Sequence, residues 1–369
     1  MPLHRRHLWA LPLAPLGLRS PPAAAAPADP AAAPQAWPAK EWNQVTPEQA
    51  GWSADALAQA QAYSGSIGST SVMVVQHGSV VASWGDIDRR IGLHSVRKSL
   101  LSAMFGIAVA QGKIDLDATL GALGIDDVLP ALTDMEQQAT VRQLLQARSG
   151  VYHPALYETA GEKRLRPARG SHAPGSFWYY NNWDFNALGT IYERAAGTSI
   201  YESFMTLIAE PTGMQDYRVG DGRYVRGTDS LHPAYLFRMT ARDLARFGLL
   251  FLRGGQWQGR GIVPAAWVRE STTGWSETHL PSGYGYLWWT GFAGRGVPTM
   301  DLPPGSFWAD GHNGQFVVVD PAHDLVVVHQ TATGKVSNRQ MGHLVWLLLV
   351  AAGVADPGAD PMLERGKPA

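Results

Sequence analysis

The apolar residues of the chain form two strand-turn-strand patterns, one near each end of the sequence. Residues 72–75 and 80–84 are mostly apolar and lie on either side of a histidine-glycine turn. Residues 316–319 and 325–328 are apolar and flank the turn 320–324, which contains a proline. Apolar runs of this length around a short turn are typical of β-hairpins, and we expect both pairs of strands to be largely buried.

Between the two hairpins the spacing of apolar residues favours helices. Residues 95–112 leave hardly any polar face, which predicts a central, buried helix. A threonine-proline-glutamate start predicts a helix over residues 46–63, and Thr240 has the spacing of a capping residue for the helix that follows it. Shorter helices are predicted at residues 141–148, 185–196, 200–210 and 340–350.

This order of elements predicts an α/β (α+β) fold. Strands from both chain ends are expected to form one antiparallel sheet, which helices flank. Residues 114–235 alternate helical segments with long loops rich in glycine and proline, so we expect an inserted helical lobe there. Residues 37–355 are expected to form a single domain, preceded by a leader over residues 1–36 and followed by a tail over residues 356–369.

The leader differs in composition from the rest of the chain. Arg5 and Arg6 precede an apolar stretch, residues 8–18, and an alanine run, residues 23–26. This order predicts an export signal and a periplasmic or secreted protein, whereas two prolines within the apolar stretch favour the alternative of a disordered leader on a cytoplasmic protein. No later segment has the roughly 18 to 20 apolar residues of a spanning helix, so no integral membrane segment is expected.

The composition excludes several kinds of partner and site. The formal net charge is −1, which gives no electrostatic reason to expect nucleic acid as a partner. The chain has no cysteine, which excludes disulfides, cysteine nucleophiles and thiolate metal sites. The histidines are dispersed, so neither a metal ion nor a cofactor is expected. The oligomeric state stays open.

The first candidate for chemistry lies at the start of the central helix. Ser95 and Lys98 are three residues apart and therefore project from one helix face. Lys98 is the one lysine of the chain that enters a nearly all-apolar helix, where burial would lower its pKa toward that of a usable base. The alternative is that Ser95 only caps the helix and that Lys98 reaches out to water.

The second candidate is the tyrosine-rich segment that ends in Tyr180-Asn181-Asn182. A phenol beside a lysine ammonium is expected to be partly ionised, so Tyr180 is a second candidate base and an acid for the leaving group. Asn182 offers both a donor and an acceptor. Tyr179 is an alternative functional tyrosine, and an aromatic core loop is the structural alternative for the whole segment.

The third candidate is the glycine-rich entry to the late hairpin, which contains His312, Gly314 and Gln315. Glycines allow a strand edge to approach a ligand closely. We therefore expect the N–H groups of Gln315 and Ser95 to form an oxyanion hole.

The order S-x-x-K, Y-x-N and then H-x-G in the place of K-T-G resembles serine β-lactamases, penicillin-binding proteins and their esterase relatives. The similarity is closer to class C-like hydrolases, including the 6-aminohexanoate-dimer hydrolase and carboxylesterase branch. It covers about residues 45–350, with supporting stretches at 95–117, 141–150, 174–189, 240–250, 284–289 and 311–320. Within the second motif, the family's flanking proline-glycine and leucine-glycine pairs frame Tyr180 rather than Tyr179.

The resemblance implies a two-step acyl transfer in which Ser95 attacks a carbonyl and water later releases the acyl group. It implies that Lys98 and Tyr180 share the proton transfers and that Asn182 orients Lys98 and the substrate amide. His312 stands where many relatives carry a lysine that holds a substrate carboxylate. Its presence favours esters or small amides over β-lactams, and a structural histidine is the alternative.

Several functions remain open at this point. A β-lactamase and a D-amino-acid peptidase are alternatives within the same chemistry, and a non-catalytic receptor is the alternative outside it. The chain has no G-x-S-x-G, so an α/β-hydrolase is excluded. The loop 150–171 is expected to wall the pocket or to be ordinary surface. The tryptophans at 178, 183, 288 and 289 are expected either to line an apolar cleft or to be buried in the core.

Overall fold

The computed structural model describes residues 36–360, except residues 129, 280–281, 292–299 and 301. The predicted leader up to residue 35 and the tail from residue 361 lie outside the described residues. The helices are α1 (Ala54–Ser66), α2 (Val96–Ala110), α3 (Val141–Leu145), α4 (Ala160–Leu165), α5 (Asn182–Ala196), α6 (Ile200–Phe204), α7 (Glu210–Thr212), α8 (Ala241–Leu252), α9 (Ala265–Ser271) and α10 (Asn338–Ala351). The strands are β1 (Ser71–Gln76), β2 (Ser79–Gly85), β3 (Ile91–Gly92), β4 (Arg223–Val225), β5 (Ala234–Leu236), β6 (Arg238–Met239), β7 (Gln256–Trp257), β8 (Arg260–Gly261), β9 (Ser276–Glu277), β10 (Gly283–Tyr284), β11 (Trp289–Thr290), β12 (Phe307–Gly311), β13 (Gln315–Asp320) and β14 (Leu325–Gln330).

One antiparallel sheet joins the two ends of the described chain. Its eight strands follow the order β2-β1-β14-β13-β12-β11-β10-β9. Strand β1 pairs with β14 from Ser71 opposite Gln330 to Gln76 opposite Leu325, so the early hairpin lies directly beside the late one. The predicted sheet built from both chain ends and flanked by helices is confirmed.

Both faces of this sheet are buried, which explains why its strands are continuous apolar runs. On β1, Met73 and Val75 join the core that contains α2, α5 and α8. Their neighbours Val72 and Val74 point the other way, into the core formed with α1 and α10. Alternate side chains of a strand face opposite sides of a sheet, so a sheet between two layers of helices requires apolar residues at every position.

Among the predicted helices whose bounds differ in the structure, two have a clear local reason. Thr46 and Gln49 exchange cap-like hydrogen bonds, but the turn that they start stops at Gly51, whose φ is 76°. Helix α1 begins only at Ala54, after Ser53, whose hydroxyl accepts the Ala56 N–H. The helix predicted over 141–148 ends at Leu145, because Ala147 adopts a left-handed conformation with a φ of 56°.

The predicted lobe over residues 114–235 contains five of the helices, α3 to α7. The helix predicted over 200–210 is divided there: α6 ends at Phe204, residues Met205–Ala209 form a π-helical turn, and α7 follows. The lobe also contains the two-stranded pair β4 and β5, which the helical pattern did not predict.

Candidate active site

Ser95 stands at the junction between a short strand and the central helix. The Leu93 N–H bonds the Phe237 carbonyl and holds the chain after β3, and His94 then adopts a φ of 47° before α2 begins at Val96. The Ser95 hydroxyl forms no capping hydrogen bond with the helix. It accepts instead from Lys98 Nζ at 2.7 Å. The structure therefore does not support the alternative of a purely capping serine.

Lys98 is buried, with 1% of its surface exposed. Its Nζ donates to Ser95 Oγ and, at 2.6 Å, to Tyr180 Oη, and it lies over the rings of Tyr180 and Phe185 at 4.4 and 4.6 Å. Burial, and after it the positive charge of Arg97, hold the pKa of Lys98 well below its usual value. The side chain therefore does not reach out to water, and its burial favours the neutral amine.

Tyr180 is held by the start of α5. The side chain of Asn181 caps this helix by accepting the Trp183 N–H, and the Tyr180 ring packs against Phe185 at 4.9 Å and Trp289 at 5.6 Å. Burial raises the pKa of Tyr180 above its ordinary value, which favours the protonated phenol. The expected partly ionised phenol is therefore not what this site favours, because burial opposes a phenolate more strongly than nearby positive charge supports it.

The two neighbouring tyrosines have different positions. Tyr180 contacts Lys98, whereas the Tyr179 hydroxyl donates to the Glu162 carbonyl at 2.9 Å. The structure thus brings Tyr180 to the Ser95-Lys98 pair and places Tyr179 elsewhere.

Asn182 contacts a residue that the sequence analysis missed. Its Nδ2 donates to Glu162 Oε1 at 2.9 Å, and no hydrogen bond joins it to Lys98 within the described residues. Glu162 belongs to α4, where its carboxylate also accepts the Thr159 N–H in a capping box. The capping-box spacing of Thr159 and Glu162 is visible in the sequence, but it predicts only a helix start. The meeting with Asn182 depends on the fold.

Of the three residues predicted in the third motif, only His312 lines the cavity. His312 reaches the cavity above Ser95, and so does Asp310, the residue two positions earlier on β12. Gly314 and Gln315 are not among the described residues that line this cavity. Gln315 is buried and its Nε2 donates to the Thr331 carbonyl at 2.7 Å, while the Gly314 carbonyl accepts from His329 at 2.7 Å.

Gly314 has a conformational reason to be glycine. Its φ is 101°, and an added Cβ would come within 2.7 Å of Val336 Cβ. The glycine therefore allows a tight turn against the chain after β14 rather than a close approach to ligand.

The cavity above Ser95 has a volume of about 420 Å³. Of the predicted site residues, Ser95, Tyr180, Asn182 and His312 line it, with Lys98 beneath. The wall residues that the sequence analysis did not single out for the site are His94, Glu158, Thr159, Glu162 and Asp310. The loop 150–171 does wall the pocket, through residues 157–159 and Glu162, and Trp289 completes the lining.

Charge on the cavity wall is mainly acidic. Glu158, Glu162 and Asp310 all line it, but the Glu158 side chain is only 1% exposed and is ion-paired with Arg166. Burial raises the pKa of Asp310 to about 6, although a hydrogen bond with Asn338 opposes this shift. These carboxylates disfavour a second negative charge in the cavity.

Two histidines, His94 and His312, lie together at the rim of the cavity. His94 and the exposed His312 meet edge to face with ring centroids 5.7 Å apart. The Tyr157 hydroxyl lies 2.8 Å from His94 Nδ1, and both of these residues have positive φ, 67° for Tyr157 and 47° for His94. Burial lowers the pKa of His94, so its imidazole is favoured in the neutral form. Strained non-glycine residues of this kind cluster at functional sites.

Within the ranges that the structure describes, no group of three or more His, Cys, Asp or Glu side chains is arranged to hold a metal ion. Over the same ranges, no helix combines the length and the apolar character needed to cross a membrane.

Comparison with protein-family models identifies the family of this chain. The profile of the Beta-lactamase family matches residues 54–349. The chain belongs to the beta-lactamase family. The matched range contains every described residue that lines the cavity. The resemblance inferred from the three motifs is confirmed at the level of the family.

Two curated relatives of this beta-lactamase family member have low sequence identity to it. An uncharacterized protein of Alkalihalophilus pseudofirmus, BpOF4_21049, is 24% identical over 297 residues, which cover 70% of this chain and 82% of the relative. Esterase EstB of Burkholderia gladioli is 29% identical over 179 residues, 39% of this chain and 45% of the esterase. The match therefore spans less than half of that esterase.

Two solved structures share the fold of this chain. A Bacillus anthracis protein provisionally named a 6-aminohexanoate-dimer hydrolase superposes with a TM-score of 0.60 at 21% identity, covering 83% of this chain and 82% of the other. A beta-lactamase of Mycobacterium bovis superposes with a TM-score of 0.58 at 23% identity, covering 79% of this chain and 99% of the other. At these identities the likeness concerns the fold alone.

Proposed function

We propose that this protein is a serine hydrolase that cleaves small carboxylic esters or amides through an acyl-enzyme on Ser95. The observation that carries the proposal is the continuous contact from Ser95 Oγ to Lys98 Nζ to Tyr180 Oη, with distances of 2.7 and 2.6 Å, at the floor of an open cavity. A nucleophile beside a base that a third group orients is the arrangement that nucleophilic catalysis needs.

The pKa shifts of Lys98 and Tyr180 support one order of proton transfers. The lowered pKa of Lys98 favours a neutral amine, which takes the Ser95 proton as Oγ attacks the substrate carbonyl carbon. The raised pKa of Tyr180 favours a protonated phenol, which gives its proton to the departing oxygen or nitrogen. The Lys98 ammonium then returns a proton to Tyr180, so the acyl group stays on Ser95 and no net charge accumulates on the floor. Attack by water, with the same groups acting in reverse, releases the acid.

The oxyanion donors in this proposal differ from the expected pair. The N–H groups of Ser95 and His312 form no hydrogen bond with other described residues, and both residues line the cavity. We therefore assign His312, not Gln315, as the second backbone donor. Helix α2 begins directly after Ser95, so its N-terminal dipole also favours negative charge there.

The acidic wall supports esters and small amides over β-lactams. Penicillins and peptides with a free C-terminus carry a carboxylate, which Glu162 and Asp310 would repel. His312 stands on the same cavity in the place of the lysine that would balance that charge in relatives.

The test is mass spectrometry of the intact protein after exposure to a fluorophosphonate, p-nitrophenyl acetate or a penicillin, with peptide mapping of any adduct. We expect an adduct on Ser95 from the first two reagents. Ser95→Ala should form none, whereas the control Ser66→Ala, at an exposed helix end, should react like the wild type. A folded wild-type protein without any adduct would favour the non-catalytic receptor, and an adduct on Ser95 with penicillin alone would favour a β-lactamase.

A further inference from the structure

A second cavity of about 900 Å³ opens beside the catalytic one. The two cavities share three lining residues, Glu162, Tyr180 and Trp289. The two cavities therefore adjoin at Tyr180, and we call the larger one the aromatic cleft.

The inner wall of the aromatic cleft is formed by packed indole rings. Trp178 is buried and lies 6.1 Å from the ring of Trp289, which stacks on Tyr180 at 5.6 Å. His279 lies 5.4 Å from Trp178 on the same wall. Since the Trp289 and Tyr180 rings belong to both cavities, the aromatic surface is continuous from the catalytic floor into the cleft.

The rim of the aromatic cleft exposes large apolar side chains to solvent. Leu165, Phe177 and Trp275 are exposed by 71%, 41% and 44%. Two of them are held in place: Phe177 stacks on His172 with ring centroids 4.0 Å apart, and Trp275 Nε1 donates to the Glu270 carbonyl at 2.8 Å. Exposed apolar surface gathered around a concave site marks a place where an apolar group binds.

We propose that the aromatic cleft holds the leaving group of the substrate, and that this group is a bulky, uncharged aromatic alcohol or amine. The inference rests on the proposed function. Tyr180 belongs to both cavities and is the group that protonates the departing atom, so that atom must face Tyr180. Whatever is bonded to it then extends past Tyr180 into the cleft. The carboxylate of Glu162 at the junction disfavours an anionic leaving group there, and Arg148, which also lines the cleft, donates to the Gly175 carbonyl.

The cleavage of such an ester proceeds through acylation of Ser95 and hydrolysis of the acyl-enzyme. Ser95 Oγ forms a bond to the carbonyl carbon, and the bond from that carbon to the alkoxy oxygen breaks. The alkoxy oxygen takes the Tyr180 proton and departs through the cleft as the neutral alcohol, and water hydrolyses the acyl-enzyme.

The test compares acetate esters of ethanol, 2-phenylethanol and 2-(2-naphthyl)ethanol, whose alcohols have similar acidity. We expect the wild-type kcat/KM to rise about tenfold or more from ethyl to naphthylethyl acetate, because the larger groups bury aromatic area in the cleft. Trp275→Ala and Phe177→Ala should each lower the naphthylethyl-to-ethyl ratio about tenfold. The matched control Leu231→Ala, which removes an exposed leucine outside the cleft, should keep the wild-type ratio.

A second series of ethyl esters, from acetate to 3-phenylpropanoate, varies the acyl group instead. If Trp275→Ala lowers the preference in this acyl series and not in the alcohol series, the assignment to the leaving group is overturned. Equal ratios in the wild type and both cleft variants would overturn it as well.

Binding separates this inference from the proposed function. If no ester is turned over and Ser95 forms no adduct, the proposed function has failed. Titration calorimetry with 2-(2-naphthyl)ethanol then still tests the cleft: binding that Trp275→Ala weakens supports an apolar ligand site, and no binding to the wild type removes it.

Discussion

The floor and the rim of the catalytic cavity are built in opposite ways. On the floor, Ser95, Lys98 and Tyr180 are joined by contacts of 2.7 and 2.6 Å, and the lysine is buried within the helical core. On the rim, His312 is exposed, and its one ring contact among the described residues is with His94. A buried polar group must keep its partners, whereas an exposed one exchanges them for water at little cost.

We infer from this difference that the floor carries out the reaction and that the rim determines which substrates are used. The floor is positioned by the start of α2 and the start of α5, two long helices whose packing leaves little freedom. The rim includes the exposed side chains of His312, in the turn after β12, and Tyr157, in the loop 150–171, and exposed side chains change with less disturbance of the core. We therefore expect substitutions on the floor to abolish turnover and substitutions on the rim to change which substrates are used.

The largest effect is expected from the centre of the floor. Lys98→Met should lower kcat by about a thousandfold or more, because the base for Ser95 is lost while the apolar stem keeps its packing. Steady-state ester hydrolysis measures this, with Lys113→Met, at an exposed lysine just after α2, as the control. A Lys98→Met enzyme within tenfold of the wild type would remove Lys98 from the reaction.

The next effect contrasts two adjacent phenols. Tyr180→Phe should lower kcat by about a hundredfold to a thousandfold, since the ring packing is kept and only the proton donor is lost. Tyr179→Phe removes a hydroxyl that bonds the Glu162 carbonyl, and it should change kcat by less than about tenfold. If the two variants were equally impaired, the loss would reflect general disturbance of the segment.

A third effect concerns stability and its dependence on pH. The pKa of Lys98 is lowered in the folded protein and ordinary in the unfolded chain, so between these two values the unfolded chain binds one more proton. The free energy of unfolding should therefore rise with pH across that window by about 1.4 kcal/mol per pH unit from this group. Urea unfolding of the wild type and of Lys98→Met at several pH values from 7 to about 10 measures this difference. Parallel pH profiles would show that Lys98 titrates normally.

The smallest effect is expected at the rim. His312→Ala should change kcat/KM for ethyl acetate by less than about tenfold, mostly through KM, because the backbone N–H proposed as an oxyanion donor remains. Kinetics with neutral esters check this expectation. A thousandfold loss of kcat would give the imidazole a direct part in the reaction and would end the contrast between floor and rim.

Much of the fold could be predicted because burial leaves a strong pattern. The runs 72–75 and 325–328 lie in strands that are buried on both faces, and the nearly all-apolar residues 95–112 contain the central helix. The predicted helix start at Thr46 was wrong because its local signals were real but short: the turn they start ends at Gly51. Pattern alone could not tell one turn from a longer helix.

The candidate site was predictable only where its residues are close in sequence. Ser95 and Lys98 are one helical turn apart, and Tyr180 lies in a recognisable motif. Glu162 and Asp310 reach the same cavity through α4 and β12, and their spacing along the chain gives no sign of it. The tryptophans show the same limit: Trp183 and Trp288 are fully buried, whereas Trp178 and Trp289 line the aromatic cleft.

The pairing of β1 with β14 affects how the chain folds while it is being synthesised. Ser71 and Gln330 are neighbours in the finished sheet, so the centre of the sheet cannot form until nearly all of the domain has been synthesised. Until then the β1–β2 hairpin exposes an unpaired apolar edge, the kind of edge that adds strands from other chains. Contacts so distant in sequence also slow folding. A nascent chain of this protein is therefore at greatest risk of aggregation while it still waits for its last strand.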